Sequence, residues 1–149
     1  MTTCLEFDPN RDFLPVVGMK LRDADKAEYE ASRGRPMSNN FPIIENICRS
    51  NQAWVYYDQG ELIMVGGAMA GGVIWAVGTE RTKDVIKPLS EAAGRLMKDW
   101  LALYGSLCGA IYKHNTAHVR WLSRFGFEFF ESENPDFLLF VKIKEINHV

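Results

Sequence analysis

The sequence predicts a mixed α/β fold, one sheet with helices packed on it. Three observations carry this. From Gln52 onward, apolar runs follow in the order strand, strand, strand, helix, strand, helix, strand, strand. The first three strands are separated only by turn residues, Asp58-Gln59-Gly60 and Gly71-Gly72, so they pair as hairpins. The longest helix then lies between two apolar strands, and such a crossover makes those strands parallel.

Each element has its own reason. Trp54-Val55-Tyr56-Tyr57 is aromatic and β-branched, and Leu62-Ile63-Met64-Val65 resumes after the turn. Gly66-Gly67 marks a bulge or a close backbone approach. Val73 to Val77 is apolar on both faces and reads as the central strand. Leu89, Ala92, Ala93, Leu96, Met97, Trp100, Leu101 and Tyr104 recur at the helical period. Asp84 is positioned to cap that helix, Pro88 suits its first turn, and Gly105 ends it. Leu107 to Tyr112 is the strand that the Asp84–Tyr104 helix crosses to. Asn115 then caps a second helix, with His118, Trp121, Leu122 and Phe125 as its apolar stripe, and Gly126 closes it. Phe127 to Phe130 and Phe137 to Ile143 read as strands around the turn Asn134-Pro135-Asp136. All four tryptophans fall in apolar patterns and read as core.

The first fifty residues carry weaker signals. Leu21 to Ser32 reads as a short polar helix, and Ile43, Ile44 and Ile47 as another. Residues 52–143 are the recognisable core of one domain spanning 1–149.

Of the 149 residues, 47% are hydrophobic and 24% charged, which are globular proportions, and the net charge is −2. Lys and Arg are scattered, so no nucleic-acid stripe is present. Leu62 to Val77 is uncharged, but it is only sixteen residues long and interrupted by Gly66, Gly67, Gly71 and Gly72. A spanning helix needs roughly 20, so no membrane segment is expected. Met1 to Asp12 lacks the basic and apolar regions of a secretory signal, so the protein is not expected to be secreted. Cys4, Cys48 and Cys108 form no Cys-x-x-Cys pair and read as buried free thiols in a reducing compartment. His114 and His118 are four apart with a helix start between them and no third ligand in evidence, and His148 is in the tail, so no metal site is expected.

The stretch Asn115-Thr116-Ala117-His118-Val119-Arg120-Trp121-Leu122-Ser123-Arg124-Phe125-Gly126-Phe127 has an Asn, a helix, and Gly-Phe eleven and twelve residues after the Asn. With the element order, it resembles the GCN5-related N-acetyltransferase (GNAT) superfamily over Gln52 to Ile143. Asn115-Thr116, His118, Arg120, Trp121-Leu122 and Gly126, with the Gly-Gly after the hairpin, also resemble small proteins of short-tailed phages of the internal-virion-protein-A type. The GNAT resemblance implies a GNAT-like mixed central sheet flanked by helices. The narrower one implies a relative that has lost the usual cofactor signature.

Acetyl transfer on this fold needs three parts. A pyrophosphate cradle uses backbone N–H groups at a glycine-rich turn before a helix. Here Gly78 to Pro88 contains no Gly-x-Gly, and Glu80 and Asp84 bring negative charge, with Arg81 and Lys83 as point contacts. A general acid is often a Tyr seven residues after the motif Asn, and Leu122 stands there, leaving Tyr112 as a substitute. A base for the amine is a role for Glu or His, which Glu80 or His118 would fill. His118 also reads as a core histidine with a satisfied ring. Asn115 is a cofactor contact in the resemblance and a helix N-cap on its own terms. The expectation is therefore a degenerate acetyl-CoA loop, no cofactor, and a protein partner in the virion or host cytoplasm. An acyl-CoA-dependent N-acetyltransferase with an atypical loop is the alternative.

Overall fold

The computed structural model of the chain describes residues 2–145. In chain order the elements are β1 (Thr2–Glu6), α1 (Pro9–Gly18), α2 (Asp23–Arg33), α3 (Phe41–Arg49), β2 (Gln52–Asp58), β3 (Glu61–Met69), β4 (Val73–Gly78), α4 (Ile86–Tyr104), β5 (Ser106–Tyr112), α5 (Thr116–Arg124), β6 (Glu128–Glu131) and β7 (Phe137–Ile143). Short 3₁₀ turns occupy Ala70–Gly72 and Glu80–Val85. All seven strands form one sheet in the order β1-β2-β3-β4-β5-β7-β6.

The mixed sheet expected from the sequence is present, with β4 and β5 as its parallel pair. That pair meets in register only at Val73 and Cys108. Beyond this point the two strands splay apart, while β3–β4 and β5–β7 stay fully laddered on either side. The splay opens a gap through the middle of the sheet.

Side-chain alternation divides the core. On one face Val55, Val65 and Val77 pack with Val16 of α1 and Ile43 and Ile47 of α3. On the other, α4 and α5 cover the sheet through Leu89, Ala92, Trp100, Trp121 and Leu122. Gly67 permits a close approach, since a Cβ there would sit 2.6 Å from the Gln52 carbonyl oxygen. Gly105 ends α4 in the left-handed region at φ 81°, its N–H returning to the Leu101 carbonyl.

Several boundaries differ from expectation. The helix expected from Asp84 begins at Ile86, and Asp84 lies in the preceding 3₁₀ turn. Thr79 caps that turn by accepting the Arg81 N–H, and Val85 holds the α4 cap position with no side-chain bond. Asn115 occupies the α5 cap position but does not cap, because its side chain is drawn to α2. Cys48 is exposed and Cys4 and Cys108 are half-buried, so the expected burial of all three thiols does not hold. β1 and α1 were not expected. They are tied to β2 by Asp12, which is fully buried and accepts bonds from the Asp8 N–H, Arg11 and the Tyr57 hydroxyl. Among the described residues, no helix is long and apolar enough to cross a membrane.

Candidate functional site

The site lies at the C-terminal ends of β4 and β5, where α2 closes the splay. Asp25 is buried there, 3% exposed. Its carboxylate accepts the Gly78 N–H at 2.8 Å and the Asn115 Nδ2–H at 2.9 Å, and Arg22 pairs with it at 3.2 Å. The Thr79 N–H bonds to Ile63 on β3, so the Gly78 N–H one residue earlier points toward β5. Asp25 thus takes the donor that the splayed edge of β4 offers. The Arg22 N–H bonds to the Gly78 carbonyl, so α2 claims both backbone groups of that residue.

One turn along α2, Glu28 accepts the Tyr112 N–H at 3.4 Å and the Asn115 Nδ2–H at 3.3 Å. Burial pushes its carboxyl up to about 7, and the Asp25 charge adds to the rise. The bonds from Asn115 and Tyr112, together with Arg22, oppose it. Glu28 therefore exchanges a proton near neutrality. His118 on α5 is half-buried against Trp121, with ring centroids 6.0 Å apart. Burial holds its imidazole below the usual histidine range, against the pull of Asp25.

Glu28 and His118 both line a cavity of about 310 Å³ that runs through the splay. Its walls are mostly apolar, including Ile74, Ala76 and Ile111 at the gap and Leu89 and Trp121 beneath α4. The exposed residues of its lining are Ser32 and Arg33 on α2 and Ala110 on β5.

The residues singled out in the sequence fall in different places. His118 lines the cavity, and Asn115, 1% exposed, bridges Asp25 and Glu28 behind it. The Tyr112 backbone joins this cluster while its ring packs on His114 and Phe137. Glu80, Arg81 and Lys83 lie outside the cavity wall, in the 3₁₀ turn after β4. Glu80 and Lys83 are exposed. Arg81 pairs with Asp58, with Glu61 at 2.9 Å and, more distantly, with Asp84. His114 is exposed beside Asp136, and His148 lies outside the described residues. Among the described residues, no three His, Cys, Asp or Glu side chains gather as a metal site would require. Sequence reasoning missed Asp25 and Glu28. The available signal was two carboxylates at i and i+3 on a helix whose Tyr29 also turns inward, just after the buried Leu21.

These residues do not fit acetyl-CoA in the usual way. The segment after β4 is a 3₁₀ turn carrying Glu80, its arginine is held by acidic partners, and Pro88 stands in the first turn of α4. A diphosphate would find neither a glycine nest nor a free guanidinium.

No protein-family model matches the chain, and no curated protein matches it. Solved structures do match. The GNAT domain of S. lividans PAT superposes with a TM-score of 0.67 at 10% identity, over 96% of this chain and 89% of that one. An acetyltransferase of the GNAT family from Streptococcus pneumoniae gives 0.63 at 14% identity, over 96% and 99%. A GNAT-family acetyltransferase from Bacillus anthracis gives 0.63 at 10% identity, over 95% and 94%. The fold is the GNAT acetyltransferase fold.

Proposed function

We propose that this chain is a phage-encoded GNAT-fold protein without a working acetyl-CoA seat, which acts by binding another protein in the virion or in the cytoplasm of the infected host. One observation carries the first half: the Asp25 carboxylate fills the Gly78 donor at the open edge of β4, where a bound ligand would otherwise add along the strand. The engagement of Arg81 by Asp58 and Glu61 supports the same reading. The phage origin rests on the Asn115–Phe127 motif and its resemblance to internal-virion-protein-A relatives. Exposed Phe130, Leu139 and Ile143 on β6 and β7 provide apolar surface of the kind that protein contacts cover.

Calorimetry with acetyl-CoA tests the first half. The expected result is a dissociation constant weaker than about 10 μM, roughly −7 kcal/mol, and tighter binding overturns it. Co-purification from infected or expressing cells tests the second half, which fails if no phage or host protein is retained. The other reading, an acyl-CoA-dependent N-acetyltransferase with an atypical loop, is favoured by Glu28, which pairs a carboxyl at about 7 with a position on the cavity wall. In that reading Arg81, Lys83 and Asn115 are the cofactor contacts, and Tyr112, Glu80 and His118 remain the candidate acid and bases.

A further inference from the structure

One face of the sheet is covered only in part. On the other, α4 and α5 reach β5 and β7 through Leu107, Ile111 and Phe140. On this one, α1 and α3 pack on β2, β3 and β4, and α2 meets β5 at its Tyr112 end. Beyond them the face is open. Leu139 and Phe130, paired across β7 and β6, are 44% and 49% exposed, and Ile143 is 71% exposed. Val73 on β4, in register with Cys108, is 38% exposed. Alternation puts these side chains on the same side, and the register makes them contiguous. Ala110 pairs with Leu139 and Leu139 with Phe130, while Cys108 pairs with Val141 and Val141 with Glu128.

Charge frames this patch from two sides. Glu128 is the one charged residue that β5, β6 and β7 place on the face, and it stands on the edge strand. Arg33 stands on the β5 side, sharing the cavity lining with Ala110. Both are exposed, and neither has an ion-pair partner among the described residues. An apolar centre with a free cation on one side and a free anion on the other is self-complementary, which is what a twofold contact requires. The edge of β6 does not offer the same. Pairing its four residues antiparallel with a copy sets Glu128 opposite Glu131 at both ends, and like charges so placed repel.

We propose that a second copy of this chain docks here, apolar sheet face against apolar sheet face, on a twofold axis that runs along β7. β5 and β6 flank β7, so the axis lays β5 of each copy over β6 of the other. Arg33 of one copy then meets Glu128 of its partner, and the pair forms twice. Packed sheets lie about 10 Å apart, so Leu139 and Val141 of the two copies fill the centre. The inference goes beyond the function proposed above, which calls for a different protein. A dimer forms or fails whether or not acetyl-CoA binds or that protein is retained, so the two readings fail separately.

Sedimentation equilibrium of the full-length protein tests this. The expected result is a monomer–dimer equilibrium with a dissociation constant of about 10 μM or tighter. Leu139→Lys buries a charge at the centre of the contact and should weaken it at least about tenfold, while the melting temperature of the dilute monomer stays unchanged. Arg33→Glu and Glu128→Arg lie on exposed residues and leave the fold alone. Each should weaken the dimer about fivefold, and the two together should restore it, because the swapped charges meet again across the axis. A protein that stays monomeric at about 100 μM overturns the proposal. So does a dimer that Leu139→Lys leaves intact, or a pair of charge swaps that fail to rescue each other. A monomer that instead retains a phage or host protein, and loses it with Leu139→Lys, gives the face to a foreign partner and overturns it as well.

Discussion

Asp25 accepts the Gly78 N–H at 2.8 Å, across a separation of 53 residues, and so fastens α2 to the end of the central strand. The same carboxylate holds Asn115 at the start of α5. One side chain therefore bridges the two strand ends that the splay keeps apart.

Removing that carboxylate should be costly. Asp25→Ala would leave the buried Gly78 N–H without its acceptor and Arg22 without its partner, and would leave the Asn115 amide only its longer bond to Glu28. Unmade buried bonds of this kind cost about 1–3 kcal/mol each, with partial relief by water. The expected loss is about 2–4 kcal/mol in urea unfolding, and Asp25→Asn should lose less because it keeps one acceptor. A loss below about 1 kcal/mol for the alanine variant would show that the bridge is not holding the sheet end.

Glu28 predicts a pH dependence of definite sign. Its folded pKa, about 7, lies above the ordinary 4.5. Between these values the folded state holds the proton more tightly than the unfolded chain, so stability falls as pH rises from about 4.5 to 7. At about 1.4 kcal/mol per tenfold change the effect is at most about 3 kcal/mol, and less where water reaches the carboxyl. Glu28→Gln keeps the acceptor for Tyr112 and removes the charge. It should match the parent at pH 4.5 and exceed it by about 1–3 kcal/mol at pH 8, read from urea midpoints. Parallel curves across that range would count against a carboxyl titrating near 7.

The contrast between Glu28 and the sheet shows what the sequence could reveal. The strands from Gln52 onward were legible because their signals are local: Asp58-Gln59-Gly60 turns the hairpin, and Leu89 to Tyr104 repeats at the helical period. The N-terminal strand was not, because Thr2-Thr3 is polar and Pro15 interrupts the helical pattern of α1. Asn115 was legible as a position through its distance from Gly126, but its partners were not. Its bonds to Asp25 and Glu28 span 90 and 87 residues, and no local pattern on a charged helix announces them. Arg81 was legible as a cation, while the acids that hold it sit on the β2–β3 turn.

Those acids give a third expectation. Arg81 joins the 3₁₀ turn to the hairpin through Asp58, itself 6% exposed, and through Glu61. Its guanidinium is held further toward the charged form by the hydrogen bonds to Asp58 and Glu61. Arg81→Gln should therefore lower the melting temperature by a few degrees without creating affinity for acetyl-CoA. Unchanged melting together with weaker acetyl-CoA binding than the parent would instead identify Arg81 as a cofactor contact.

His118 separates a structural from a functional role through the shape of its pH response. Its ring packs on Trp121 and faces the cavity, with no hydrogen-bond partner found in the described chain, contrary to the satisfied core histidine expected from the apolar stripe. Burial, with a smaller contribution from Arg22, lowers its folded pKa below the ordinary 6.5, and Asp25 only partly restores it. The unfolded chain then takes up the proton first as pH falls through 6.5, so His118 lowers stability on the acid side and has no such effect above it. This slope opposes that of Glu28 in an overlapping range, which is why single variants and not the parent curve must be read. His118→Ala loses ring packing, about 1–2 kcal/mol at pH 8. At pH 5 the variant also escapes the protonation penalty, so its deficit should shrink. Urea unfolding of parent and variant at both pH values measures this difference directly. If the variant overlays the parent at pH 8 while partner binding or activity is lost in the same preparation, the ring serves function and not packing.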